Sequence, residues 1–449
     1  MARLFGTDGV RGLANRDVTA ELALDLGASA ARVLVARRET TERRPRAVVG
    51  RDTRISGEFL SSAIAAGLAG AGVDVTDVGV LPTPGVAHLT ASTDVDLGVV
   101  ISASHNPMPD NGIKFFARGG FKLPDAVEDE IAAGLGATWE RPTGAAVGRI
   151  SEDSTFADRT YIDHLVAATD QPLQGLRIAL DCANGAASDI APLALREAGA
   201  DVVVINASPD GRNINEKCGS THPEQLQAVT VASDAAFGVA YDGDADRCIA
   251  VDHTGALVDG DQILGLLATA MKEAGTLAAD TLVVTVMSNL GLLLAMREAG
   301  IETVQTAVGD RYVLEAMRAG GYGLGGEQSG HIINARHATT GDGVLTSLLL
   351  AARVVATGRT LADLAAVVTR MPQVLVNVPG VDKARAADDE GVVEAVTRAE
   401  SVLGDTGRVL LRPSGTEPLV RVMVEAATLD EAEVVAHGLA DVVEQRLKL

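Results

Sequence analysis

Three times along this chain an apolar strand runs through a polar turn into an amphipathic stretch, which closes on Ala-Gly before a second strand begins. Ala47-Val48-Val49-Gly50 leads to Ala71-Gly72-Val73 and then Asp74-Val75-Thr76. Arg177-Ile178-Ala179-Leu180 passes through Asn184-Gly185 to Ala198-Gly199-Ala200 and Asp201-Val202-Val203-Val204. Leu282-Val283-Val284-Thr285 passes through Ser288-Asn289 to Ala299-Gly300-Ile301 and Glu302-Thr303-Val304. Each reads as a βαβ unit whose helix is closed by glycine. Units about a hundred residues apart match ordinary domain size, so the pattern predicts three related α/β domains with mixed sheets. Coincidence of a common motif is the alternative, and the recurring Ala-Gly closure speaks against it.

The C-terminal part breaks the pattern. Val374 to Val378, a loop from Arg412 to Pro418, the alternating strand Leu419 to Glu425 and a helix from about Asp430 predict a smaller α+β domain. A chain of 449 residues outgrows one hydrophobic core, which agrees with several domains. Seams around Gly148 to Ser154, near Thr254 and at Met371-Pro372 give domains 1–154, 155–254, 255–370 and 371–449.

Charge narrows the partners. A formal net charge of −22 argues against nucleic acid and anionic membranes, both of which need a basic patch. A phosphate ligand would instead need positive charge gathered locally. Cys182, Cys218 and Cys248 are far apart and form no CxxC pair, as expected of reduced thiols. The start, Met1-Ala2-Arg3-Leu4-Phe5-Gly6, lacks an apolar signal core, and the apolar stretch Gly343 to Ala356 carries Arg353 and reads as a buried helix. The expectation is a cytoplasmic protein.

Some motifs fail on context. Gly321-Tyr322-Gly323-Leu324-Gly325-Gly326 matches a dinucleotide fingerprint formally, but it follows a helical stretch and opens no helix. Asp242-Gly243-Asp244-Ala245-Asp246 starts like a calcium loop, yet Arg247 and His253 stand where glycine and glutamate are required. That aspartate run lies between strand-like Val239-Ala240-Tyr241 and Cys248-Ile249-Ala250-Val251. Alternate spacing aims the carboxylates of Asp242, Asp244 and Asp246 to one side, where a cation would relieve their repulsion. Few carboxylates with room for phosphate or water suit Mg²⁺, and Arg247 would meet a phosphate beside it. A solvated acidic turn is the alternative.

Ser102-Ala103-Ser104-His105-Asn106-Pro107 follows the apolar run Leu97 to Ile101, the place where α/β proteins present reactive groups. Asp110-Asn111-Gly112 turns the chain back toward a strand bearing Lys114. Alone the segment could be a capped turn; beside a metal triad Ser104 becomes a candidate phosphoryl carrier. Arg412-Pro413-Ser414-Gly415-Thr416-Glu417-Pro418, with Arg421 nearby, reads as an anion nest or a plain turn. Gly325-Gly326-Glu327-Gln328-Ser329-Gly330-His331 offers groups that can hydrogen-bond a sugar, and Gly6-Thr7-Asp8-Gly9-Val10-Arg11-Gly12 adds a glycine-flanked arginine.

In this order, across the whole chain, these motifs resemble the α-D-phosphohexomutase superfamily. Three of them are similar to the branch that interconverts glucosamine 6-phosphate and glucosamine 1-phosphate: Ser102 to Pro107, Asp242 to Arg247 and Gly326 to His331. Relatives acting on mannose or glucose phosphates usually carry glycine where Ala245 stands and methionine where Gln328 stands. The resemblance implies four domains around a central cleft. It implies that Ser104 carries the phosphoryl group and that Asp242, Asp244 and Asp246 bind one Mg²⁺ per chain, with a phosphoserine oxygen as a further ligand. Arg11, Arg247, His105 and Lys114 would serve charge balance and proton transfer. Glu327 and Ser329 would hold sugar hydroxyls, and Arg412, Ser414, Gly415, Thr416 and Arg421 the distal phosphate. A sugar 1,6-bisphosphate would be intermediate and activator, and the product would feed UDP-N-acetylglucosamine. A homodimer, and a kinase or bisphosphate that first phosphorylates Ser104, are partners the resemblance allows. The alternatives are a phosphomannomutase/phosphoglucomutase, a metal-dependent phosphatase and a non-catalytic sugar-phosphate sensor.

Overall fold

A computed structural model describes residues 3–6, 8–37, 43–413 and 419–449. Its first α/β region runs β1 (Val10–Leu13), α1 (Ala20–Val35), β2 (Arg46–Arg51), α2 (Ser56–Gly70), β3 (Asp74–Val80), α3 (Thr83–Ser92), β4 (Leu97–Ile101), β5 (Asp110–Ala117), β6 (Phe121–Lys122), α4 (Asp125–Ala133) and β7 (Ile150–Glu152). The sheet order is β1-β5-β4-β2-β3-β7, with β6 on β5. Every residue of β4 is buried, as its unbroken apolar run requires of a strand covered on both faces.

The second region runs α5 (Ser154–Val166), β8 (Arg177–Asp181), α6 (Ala187–Glu197), β9 (Asp201–Ile205), α7 (Glu224–Ala232), β10 (Phe237–Tyr241), β11 (Cys248–Asp252) and β12 (Leu257–Val258). Its sheet is ordered β12-β11-β10-β8-β9. The third runs α8 (Gly260–Glu273), β13 (Thr281–Thr285), α9 (Leu290–Glu298), β14 (Glu302–Thr306), α10 (Asp310–Gly320), β15 (Leu324–Gly326), β16 (Ile332–Asn334), α11 (Gly343–Thr357) and α12 (Leu361–Ala365), on a sheet ordered β14-β13-β15-β16. All three strand pairs picked out by the repeat are parallel: β2 with β3, β8 with β9, and β13 with β14. The formal dinucleotide fingerprint falls on the end of α10 and on β15, which opens no helix.

The C-terminal region has β17 (Gln373–Pro379), α13 (Glu390–Leu403), β18 (Arg408–Pro413), β19 (Leu419–Glu425) and α14 (Leu429–Leu447). Its sheet, β17-β19-β18, is antiparallel throughout. Arg412 therefore lies in a strand and not in the expected loop, and its register partner is Arg421. The run Val409-Leu410-Leu411 hid this strand, because it does not alternate in polarity.

By packing, the chain forms two compact units. One holds the residues up to Met287 together with Gly300–Val367; the other holds Ser288–Ala299 and the chain from Val368 onward. Helix α9, the crossover between β13 and β14, thus belongs to the second unit. Its N-cap explains how: Asn289 Nδ2 donates to Glu425 Oε1 (3.0 Å) and to the Met371 carbonyl (3.1 Å), while Oδ1 accepts the Met371 N–H (2.8 Å). No helix among the described residues is long and apolar enough to cross a membrane.

Candidate active site

In the first unit the functional side chains stand where strands end. The hairpin β10–β11 turns through Asp242 to Arg247, and ligand oxygens of Asp242, Asp244 and Asp246 lie within 4.8 Å of one another. All three residues are buried. Ala245 takes a positive φ of 56°, the kink that folds three carboxylates onto one side of so short a turn. Gly243 is required at this turn, since a Cβ there would stand 2.7 Å from the Ser104 carbonyl oxygen.

Ser104 follows β4 and also has a left-handed backbone, φ 53°. Such strain persists only when the surroundings enforce it. Here Ser102 Oγ accepts the Ser104 N–H (2.9 Å) and donates to Asp52 Oδ2 (2.6 Å). Arg54, fully buried, donates to that same carboxylate oxygen and to the carbonyls of Ser104, Asn106 and Pro107. Asn215 Nδ2 donates to the Ser104 and Asn106 carbonyls from the second α/β region. The outcome is a Ser104 Oγ held 2.5 Å from Asp242 Oδ2 and 3.3 Å from His105 Nδ1.

A chain of alternating charges surrounds the triad. Lys114 Nζ lies 2.8 Å from both Asp244 Oδ2 and Asp8 Oδ2. Asp8 also meets Lys122 (2.6 Å) and pairs with Arg11. Lys122 pairs with Asp310, whose Oδ2 lies 3.4 Å from His331 Nε2, and His331 Nδ1 is 3.6 Å from Asp246. The Arg247 Nε is 3.9 Å from both Asp242 and Asp246.

These neighbours set the protonation states. Burial, then the like charges of Asp246 and Asp244, pushes Asp242 up to about 8. Burial would also raise Asp246, but Lys114 and His331 overcome it and hold that carboxyl well below its usual range. Burial opposes the charge on Lys114, yet Asp244 and Asp8 outweigh it and raise its pKa, so it stays an ammonium. His105 is lowered to about 4 by burial, with Arg247 and Arg11 adding to it, and is a neutral imidazole at physiological pH. Of the two groups proposed for proton transfer, only His105 has a free base form.

The triad fits a metal ion on its own chemistry. Among the described residues, Asp244 Oδ1 and Asp246 Oδ1 are buried without a hydrogen-bond partner, which is costly for carboxylates unless a cation takes them. A hard divalent ion with oxygen ligands matches this donor set.

Ser104, His105, Lys114, Asp242, Asp244, Asp246 and Arg247 thus come together, with Arg11 joined through Asp8. Glu327 lies close enough to Arg247 to raise its pKa and accepts the Gly309 N–H at 3.0 Å; Ser329 is exposed. Gln328 Nε2 donates to Asp259 Oδ2 (3.2 Å), the N-cap of α8, a bond that methionine could not make. Arg412 and Arg421 lie in the second unit. Ser414, Gly415 and Thr416 lie outside the described residues. Sequence reasoning did not single out Arg54, Thr83, Lys122, Asn215 or Asp310 and gave Asp8 no role; His331, expected among the sugar-binding groups, stands in the charge chain beside Asp246 and Asp310. For Arg54 a signal existed, since Asp52-Thr53-Arg54 follows β2 just as the Ser104 loop follows β4.

Four models of the phosphoglucomutase/phosphomannomutase family match the chain: α/β/α domain I over residues 2–140, domain II over 159–255, domain III over 259–371 and the C-terminal domain over 375–442. The phosphoglucosamine mutase of Bifidobacterium animalis subsp. lactis is 64% identical over 454 residues, covering 100% of both chains. That of Nocardioides sp. is 62% identical over 449 residues with the same coverage. A phosphoglucomutase/phosphomannomutase family protein from Burkholderia thailandensis shares the fold at TM-score 0.81 and 24% identity, covering 99% of this chain and 97% of that one. So does Aspergillus fumigatus N-acetylphosphoglucosamine mutase, solved with GlcNAc-6P and magnesium, at TM-score 0.69, 20% identity and coverage of 99% and 96%.

Proposed function

The chain belongs to the phosphoglucomutase/phosphomannomutase family, and from that premise we propose that it interconverts glucosamine 6-phosphate and glucosamine 1-phosphate through a phosphorylated Ser104. The observation that carries the mechanism is the 2.5 Å contact of Ser104 Oγ with the aspartate triad. The full-length phosphoglucosamine mutase relatives carry the substrate.

In this reading Asp242, Asp244 and Asp246, with a phosphoserine oxygen, hold Mg²⁺, which supplies charge neutralisation for a transferring phosphoryl group. The protein's own residues do the rest. The Ser104–phosphorus bond breaks as a sugar hydroxyl oxygen bonds to phosphorus; His105 takes the hydroxyl proton and returns it to the freed Ser104 oxygen, which becomes a serine hydroxyl again. Lys114, Arg247 and Arg11 stabilise negative charge that builds on the phosphoryl oxygens. Glu327 and Ser329 hold sugar hydroxyls, while Arg412, Ser414, Gly415, Thr416 and Arg421 hold the second phosphate. The bisphosphate formed must turn end for end before its other phosphate returns to Ser104. One phosphate-holding loop serves both orientations, because positions 1 and 6 exchange places. Such a reaction supplies UDP-N-acetylglucosamine synthesis in the cytoplasm.

The test is intact mass with mutase activity on glucosamine 6-phosphate, for wild type and Ser104→Ala. The expected result is an adduct of about 80 Da, lost in the variant together with activity. Full turnover by Ser104→Ala would sink the phosphoserine route, and higher kcat/KM on mannose or glucose phosphates would replace the substrate.

A further inference from the structure

Asp244 differs from its two partners in how its carboxylate is held. Both of its hydrogen-bond donors bond the same oxygen: Thr83 Oγ1 at 2.6 Å and Lys114 Nζ at 2.8 Å, each on Oδ2. The other oxygen, Oδ1, is buried and has no hydrogen-bond partner among the described residues. A carboxylate held on one edge by a hydroxyl and an ammonium cannot turn without breaking a charge-assisted bond. Its free edge is therefore aimed.

Thr83 is built to hold that edge. It is fully buried and opens α3, a helix of the first α/β region, whereas the triad belongs to the second. Pro82 and Pro84 flank it, so the backbone dihedrals on either side are restricted and the hydroxyl has little freedom to move. Its N–H, one of the unpaired donors at a helix start, bonds the Asp244 carbonyl at 3.0 Å. One residue thus grips Asp244 twice, by main chain and by side chain. An ionised carboxylate only accepts, so the Thr83 hydroxyl must donate to it. A valine could keep the main-chain bond and the shape while losing only that donation.

We propose that Thr83 is a positioning residue for the metal site, its hydroxyl turning Asp244 so that Oδ1 faces the cation. This rests on the reading of the triad as a divalent-cation site. Outer-shell partners of this kind change metal affinity when removed, although they never touch the ion. Because the donor comes from a different α/β region than the ligands, metal affinity becomes a property of how those two regions dock.

The test is Mn²⁺ binding to the full-length protein, followed by electron paramagnetic resonance of free ion. Wild type is compared with Thr83→Val, Thr83→Ser and Asp244→Asn, and metal-free melting checks the fold. Thr83→Val should bind Mn²⁺ about ten- to a hundredfold more weakly while melting near wild type without metal. Thr83→Ser, which restores the hydroxyl, should recover the affinity. Should Thr83→Val not fold, Thr83→Ala carries the same comparison. Wild-type Mn²⁺ affinity in the folded hydroxyl-less variant would overturn the proposal and leave the triad reading standing. If Asp244→Asn binds as wild type does, the triad reading itself falls, and this inference with it.

Discussion

At the scale of single residues, the site depends on side chains that carry no chemistry. Arg54 shows this best. Its guanidinium is fully buried and meets Asp52 and three carbonyls of the Ser104 loop. Replacing it with methionine leaves Asp52 buried and unpaired, so stability should fall by about 3–5 kcal/mol, measured as a lower urea midpoint. Activity should fall further than stability explains, because the left-handed backbone of Ser104 would then rest on the neutral bonds from Asn215 and to Ser102. Ser104 and the triad were legible in sequence because hydroxyl and carboxylate types betray themselves at close spacing. Thr83 and Asn215 were not, since their bonds join positions 111 to 161 residues apart, and the place of Arg54 after β2 was a signal left unused. Only the folded chain brings such pairs together.

At the scale of elements, the helix pair α3 and α5 is joined by an imidazole stack. The rings of His88 and His164 lie 3.9 Å apart and nearly parallel, at 18°. Burial first, and then His164, lowers His88 to about 4; burial lowers His164 as well. A histidine whose pKa is lower when folded takes up its proton more readily when unfolded. Stability is therefore complete above about pH 6.5 and declines as pH falls from there toward about 4. Urea midpoints at about pH 7 and about pH 5 should show a drop in wild type that is smaller in His88→Gln. An equal drop in both would mean that the stack contributes nothing to acid sensitivity. Elements were read well from sequence where period was strong. In the parallel pairs β2–β3, β8–β9 and β13–β14 the first strands came from apolar runs that lie largely buried, and the second, partly buried strands from their place after Ala-Gly. Strand β18 escaped because Val409-Leu410-Leu411 does not alternate in polarity, although Gly407 marks its start; helix α13 was not singled out although Asp389 and Gly404 mark its ends.

At the scale of the whole molecule, an excess of negative charge has to coexist with a substrate whose phosphate is doubly negative. The formal charge is −22, so attraction must come from local clusters. The first unit gathers Arg11, Lys114, Lys122 and Arg247 among its carboxylates. The second places Arg412 and Arg421 opposite each other on β18 and β19. If Arg421 holds a phosphate, Arg421→Met should raise KM for glucosamine 6-phosphate about tenfold or more, the worth of one charged hydrogen bond. The phosphate on Ser104 should persist in that variant, read by intact mass. Unchanged KM would remove Arg421 from the substrate-holding set.

The placement of α9 bears on how such a protein can be rearranged by recombination or by an engineer. A C-terminal module cut out after Val367 would leave behind Ser288–Ala299, and with it the Asn289 side chain that ties Met371 and Glu425. The module would travel with a bare flank, while the donor scaffold kept a helix that had lost its mate. The stretch from Val368 onward is therefore not a cassette. An exchange between relatives would have to carry two separate stretches at once, so these stretches are bound to change in concert.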